Sequence, residues 1–320
     1  MTARRLIVNA DDFGLTAGVD RGIARAVAAG AVTSVSVMAN LADPAAVAAL
    51  AAAHPALSLG AHLNLTTGRP LRPAHELPSL VDAHGEFLPL AVLTRRALSG
   101  RVRRADAARE LGAQVAHLAR HGIRVDHLDS HEHVHLLPGI TAAVVDVARR
   151  SNVRRLRCHR PRLFPAGGRR SAAIARYYAA HPRRVVSHGV KRALAAWFRR
   201  AGLSGPDGVV SPALLLSQPP AGGPLDAWEA VLRSLPPGTW ELVVHPADLD
   251  VPRDACDTAR LGELVEQRGA ELAALEGPFF APLLAAYDVT LASFAAVPSG
   301  RVGRDVRAAP RAGEAHAGRA

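Results

Sequence analysis

Short β-branched apolar runs alternate along this chain with segments whose apolar positions recur every three or four residues. Residues 5–10 (RLIVNA) read as a buried strand, and 16–30 as a helix. In that helix Thr16 is the cap, Val19, Ile23 and Val27 share a face, and Gly30 is the stop. Residues 32–39 read as a strand and 43–53 as a helix, with Asp43 as cap and Pro44 in the first position. Residues 57–65 are the next strand. The order β-α-β-α-β implies parallel strands joined by right-handed crossovers. Residues 66–94 are Pro/Gly-rich and read as a long loop over a site.

The alternation continues with a helix over 105–121, a strand over 123–129, a helix over 139–150 and a short strand over 153–157. Arg, Pro and Gly interrupt 159–210, a variable insertion in which only 189–201 reads as an amphipathic helix. A helix over 224–235, a strand over 239–245 and a helix over 257–275 follow. Residues 276–286 read as a loop or short helix, and 288–292 as a strand. The pattern predicts an α/β fold, a single domain over 1–297, and a disordered basic tail over 298–320.

Composition narrows this little. The chain has 320 residues, 49% of them hydrophobic, enough for one large core. The formal charge of +11 suggests nucleic acid, but the arginines are scattered pairs such as Arg103–Arg104 and Arg183–Arg184, and aromatic residues are few. Solvated arginine faces and a basic tail are the favoured reading, without a nucleic-acid partner. Cys158 and Cys256 stand far apart, which suits a reducing cytoplasm and no disulfide framework. No uncharged apolar stretch of about twenty residues predicts a membrane span.

Four polar clusters stand at predicted strand ends, where parallel α/β folds place their sites. Asp11 and Asp12 end the first strand; opposite pleat directions would let one bind a metal while the other acts as a base, or the pair caps the next helix. His62 is a lone histidine in an apolar strand, a common place for a packed core residue; Asn64 shares its face and could donate to an oxyanion or hold the ligand. The 127–135 segment HLDSHEHVH has His or Asp at every odd position. If extended, it turns five polar groups to one face, which line a wet or metal-bearing cavity or else form a surface histidine cluster. Glu241 and His245 share the face of the late strand, and His245 is a candidate general acid or a packing histidine. An Asp/His/His set suits Zn²⁺ and other first-row divalent ions, and Mg²⁺ less comfortably.

NADDFG at 9–14, GAHLNLTTGRP at 60–70, HLDSHEHVH at 127–135 and the Glu241–His245–Pro246 segment together resemble the YdjC-like carbohydrate deacetylases. The resemblance runs from residue 4 to about 295 and is weakest over 159–210. It implies a distorted (β/α) TIM-like barrel that deacetylates an N-acetylated amino sugar or glycoconjugate with one divalent ion, Mg²⁺ or Zn²⁺. It assigns Asp12, His62 and His131 to the metal, Asp11 to the base and His245 to the acid. His133 and His135 would orient ligands or touch substrate, with Asn64 as a further substrate-binding candidate. The late motif departs from the usual His-Pro-Gly in having Ala247. A small carbohydrate is the expected partner; a homodimer is an open option. The other readings are a barrel phosphoesterase or amidohydrolase, which usually gathers more metal ions, and a sugar-binding barrel without turnover.

Overall fold

The computed structural model describes residues 3–157, 182–210, 224–261 and 265–299. Among these residues seven strands form one parallel sheet: β1 (Arg4–Phe13), β2 (Ser34–Val37), β3 (Ser58–Leu63), β4 (His127–Ser130), β5 (Gly208–Val210), β6 (Gly238–Val244) and β7 (Val289–Ala292). The order is β4-β3-β2-β1-β6-β5. β1 is the axis of the sheet, with β6 along one edge and β7 and β2 in succession along the other. The sheet curls. Leu128 bridges to Leu156, and Arg155 bridges to Ser204, so single bridges carry the wall from β4 towards β5. This is the distorted α/β barrel that the alternation and the motifs predict.

Ten helices among the described residues cover the sheet: α1 (Ala17–Ala28), α2 (Pro44–Ala53), α3 (Leu90–Leu98), α4 (Arg104–Arg120), α5 (Ile140–Arg150), α6 (Pro182–Arg200), α7 (Pro224–Ser234), α8 (Ala255–Leu261), α9 (Val265–Glu276) and α10 (Phe280–Ala286). Thr16 caps α1 by accepting from the Val19 amide, and Asp43 caps α2 by accepting from the Ala45 amide. The α1 face of Val19, Ile23 and Val27 is buried as its period requires. Gly22 on that face is needed for contact: a Cβ there would lie 2.6 Å from the Ala247 Cα. This holds residues 246–248, which follow β6 and His245, against the first helix.

Three expectations change. The end of the 66–94 loop is helical, because α3 starts at Leu90 directly after Pro89. The strand over 153–157 reduces to isolated bridges. The extended reading of 127–135 fails after Ser130: residues 131–136 form a 3₁₀ turn with Glu132 and His133 at left-handed φ of 51° and 58°. Part of the expected insertion, 159–181, lies outside the described residues, as does nearly all of the expected tail, 300–320. The predicted 257–275 helix is described as α8 and α9, with 262–264 outside the described residues. Among the described residues no helix is long and apolar enough to cross a membrane.

Candidate active site

The carboxyl ends of β1, β3, β4 and β6 meet at one rim. Register sets this up: His62 pairs with Asp129, and Ala10 with Val244, so the next residues along each strand reach the same level. Asp11 and Asp12 do not diverge as a regular pleat would make them. The pairing between β1 and β2 slips between Ala10 and Phe13, and Asp12 has a φ of 74°. Such a bulge re-aims a side chain, and Asp tolerates the left-handed region better than most residues. Both carboxylates therefore face the cavity: Asp12 Oδ1 lies 3.2 Å, and Asp11 Oδ2 4.0 Å, from His62 Nε2.

Asp12, His62 and His131 each present one ligand atom, and those atoms lie within 4.8 Å of one another. His131 Nδ1 is 2.8 Å from Asp12 Oδ1. The set is oxygen plus two imidazole nitrogens, which fits a first-row divalent ion with positions left for water and substrate. His62 is oriented for the task, since its Nδ1 meets Asp129 Oδ1 at 2.9 Å and leaves Nε2 to face Asp12. Burial would lower the His62 pKa, but Asp129 and Asp11 push it up to about 10. A metal ion held by Nε2 would take the place of that proton. Burial opposes the ionisation of Asp12, yet the imidazole of His131 and the guanidinium of Arg268 hold it well below the usual carboxylate range.

A second group, Asp11, His62 and Asp129, also has ligand spacing. It is a poor metal site because a guanidinium already sits among its carboxylates. Arg157, fully buried, donates from Nη1 to Asp11 Oδ2 and from Nη2 to Asp11 Oδ1, both at 2.7 Å. The same Nη2 lies 2.8 Å from Asp129 Oδ2, and Nε donates to Glu241 Oε1 at 2.7 Å. Against the effect of burial, these three carboxylates raise the Arg157 pKa. Asn9 Nδ2 links Asp11 Oδ1 to Ser36 Oγ, and Ser36 donates to Asp129 Oδ2 at 2.7 Å.

This network defines what Asp11 can do. A carboxylate has about four acceptor positions. Asn9 and Arg157 use both on Oδ1, and Arg157 uses one on Oδ2. Among the described residues one remains, on the oxygen that lies 4.0 Å from both His62 Nε2 and His245 Nε2. Burial would raise the Asp11 pKa, but Arg157 and His62 lower it overall, so the group is ionised at neutral pH. His245 follows β6, its side chain 26% exposed at the mouth. Glu271 of α9 fixes it by accepting from its backbone amide at 2.5 Å.

The other predicted residues are used differently. Asn64 is fully buried and closes the loop after β3: it donates to Asn40 Oδ1 and the Thr67 carbonyl, and its Oδ1 accepts from the Thr66 and Thr67 amides. Both amide hydrogens are spent, so it has no donor for an oxyanion. His135 is buried with Nδ1 2.5 Å from Ser130 Oγ, and burial holds its pKa well below the ordinary value. His127 stacks on Phe294 at 3.6 Å, and burial lowers its pKa to about 3, so it is a neutral packing group. Gly60 makes room for that ring, because a Cβ there would fall 2.3 Å from His127 Nε2. His133 and His135 are not in the ligand group.

Reading the sequence missed Arg157, Arg268 and Glu271. Arg157 was discoverable, since it ends the 153–157 run where strand ends were already the guide, but Arg154 and Arg155 mask it as one of a surface group. Arg268 and Glu271 lie on a helix and carry no such signal.

An α/β barrel with a carboxylate–imidazole group at ligand spacing and a tethered second carboxylate at its carboxyl rim is the class that fold and site define. The YdjC-like protein family model matches residues 5–286, and the chain belongs to that family. A carbohydrate deacetylase of Geobacillus stearothermophilus is 43% identical over 166 residues, 51% of this chain and 64% of that protein. A chitooligosaccharide deacetylase of Yersinia pestis (strain Pestoides F) is 43% identical over 149 residues, 46% of this chain and 57% of that protein. The chain thus spans less than two thirds of the length of these curated relatives. A solved structure from Enterococcus faecalis V583, described as a cellobiose-phosphate cleavage protein, superposes with a TM-score of 0.66 over 92% of this chain and 98% of that one. At 23% identity it speaks for the fold alone.

Proposed function

We propose that this chain is a divalent-metal-dependent hydrolase that removes the acetyl group from an N-acetylated amino sugar. The observation that carries the reading is Asp11 Oδ2, which keeps an acceptor position open among the described residues and lies 4.0 Å from two imidazoles, beside a group with ligand spacing. Asp12 Oδ1, His62 Nε2 and His131 Nδ1 would hold the ion. When bound, it supplies Lewis acidity, polarising the acyl oxygen and lowering the pKa of a water.

Asp11 Oδ2 accepts the proton of the attacking water. Arg157 keeps the carboxylate from rotating while it does so, since both oxygens are tied to one rigid fork. His245, partly exposed and 4.0 Å from the same oxygen, delivers a proton to the leaving amine. The base is buried and the acid stands at the mouth, which suits a substrate that enters acetyl group first. The names of the relatives support a carbohydrate as the acyl carrier. His133, next to the site in the 131–136 turn, is a candidate substrate contact. The phosphoesterase reading would favour a second metal ion, and the second ligand-spaced group is taken by Arg157.

An acetate-release screen over chitooligosaccharides, N-acetylglucosamine lipids and hopanoid glycosides tests the proposal. Acetate from one class, with about one metal ion per chain, is expected. Phosphate release from phosphate esters with two ions per chain would replace it with the phosphoesterase reading. His131→Ala and Asp12→Ala are expected to lose metal and turnover together; His131→Ala with full metal content would remove His131 from the ligand set.

A further inference from the structure

Helix α9 brings a buried charge to the site that neither the ligands nor the acid–base pair accounts for. Arg268 is 5% exposed, and its Nη2 donates to Asp12 Oδ2 at 2.7 Å. Its Nε and Nη1 are buried without a hydrogen-bond partner among the described residues. A guanidinium kept only to brace the fold would be expected to saturate its donors, because buried donors left unmet are destabilising. Arg268 instead makes one side-chain hydrogen bond, and makes it to a candidate metal ligand. Its place does not depend on that bond. The Ala247 amide donates to the Arg268 carbonyl at 3.2 Å, and Glu271, one turn on, holds the His245 amide.

The two oxygens of Asp12 are thereby divided. Oδ1 faces His62 Nε2 and His131 Nδ1, and Oδ2 belongs to Arg268. A carboxylate beside a divalent ion can bind through one oxygen or both. We propose that Arg268 is a positioning residue that holds Asp12 as a one-oxygen ligand and so keeps coordination positions open for water and substrate. This rests on the metal-site reading above. Two effects oppose each other: the arginine charge repels a dication, whereas its hydrogen bond fixes a carboxylate that already stands at a left-handed φ. Partners that orient ligands are usually worth about 10–100-fold in metal affinity, so orientation outweighs repulsion.

The test is a Co²⁺ titration of the chelator-treated full chain, following visible absorption of the bound ion. Arg268→Met is expected to bind Co²⁺ about 10–100-fold more weakly than wild type. Its absorption per bound ion should also be weaker, because a second Asp12 oxygen raises the coordination number and d–d bands lose intensity above four ligands. Arg268→Lys, which restores a charged donor, should recover part of both. A melt without metal checks folding, and Arg268→Gln carries the same comparison if the methionine variant does not fold. Wild-type affinity and an unchanged spectrum in a folded variant would overturn the inference. If that happens while Asp12→Ala abolishes uptake, the metal site stands and this role alone fails. If the wild-type chain takes up no Co²⁺, both fail together.

Discussion

Asp11→Asn is expected to keep its metal and to release acetate about 10²–10⁴-fold more slowly, the range for loss of a general base. The substitution preserves shape and one carbonyl oxygen, and leaves Asp12, His62 and His131 untouched. Either amide orientation turns the NH₂ towards a nitrogen of Arg157, and the one that places it at Oδ2 also removes the acceptor that faces His62 and His245. Both set donor against donor in a buried network, which costs about 1–3 kcal/mol of stability. Turnover, bound metal and melting temperature measured on one preparation separate these effects. Near-wild-type turnover would remove Asp11 from the base role, and loss of metal would place it among the ligands. Because burial is outweighed by Arg157 and His62, Asp11 stays ionised through the neutral range. Any fall in rate between about pH 7 and pH 5 must then come from other groups.

Arg157→Leu is expected to destabilise the fold by about 3–5 kcal/mol, because it leaves Asp11, Asp129 and Glu241 buried without their shared cation. The deficit should depend on pH. Without the guanidinium, the folded-state pKa values of these carboxylates rise. A carboxylate raised in the folded state contributes stability that is fully present below its unfolded value of about 4, and lost as pH rises through the folded value. Glu241 shows the direction even in the intact chain: burial raises it from 4.5 to about 7, against the pull of Arg157. In the variant Asp11 and Asp129 join it. Melts of both proteins at pH 5 and pH 8 should show the larger gap at pH 8. A gap that does not change with pH would mean that Arg157 contributes packing volume and not charge.

Most of the frame was legible because it rests on period. The β-α-β-α-β opening, the Thr16 and Asp43 caps and the late 239–245 strand all follow from local rules that the tertiary structure does not overrule. The site was legible where chemistry clustered at strand ends, at Asp11–Asp12, at 127–135 and at His245. What stayed hidden depends on contacts distant in sequence. The bulge that turns Asp11 and Asp12 into one cavity is a register slip against β2, and no residue pattern in NADDFG announces it. The alternation after Ser130 suggested a strand, yet the chain turns there, with Glu132 and His133 in left-handed backbone and His131 beside Asp12. Asn64 looked free because its loop partners, Asn40 and Thr67, could not be inferred. Arg157 and Arg268 reach Asp11 and Asp12 across 146 and 256 positions of chain, which periodicity cannot see.

The most direct test of a metal-dependent deacetylase is acetate release from an N-acetylated chitooligosaccharide before chelation, after it, and after return of one equivalent of divalent ion. Acetate release is expected to disappear with the metal and to return in proportion to the ion restored, saturating near one per chain. Acetate release that persists undiminished in metal-free protein would contradict metal dependence.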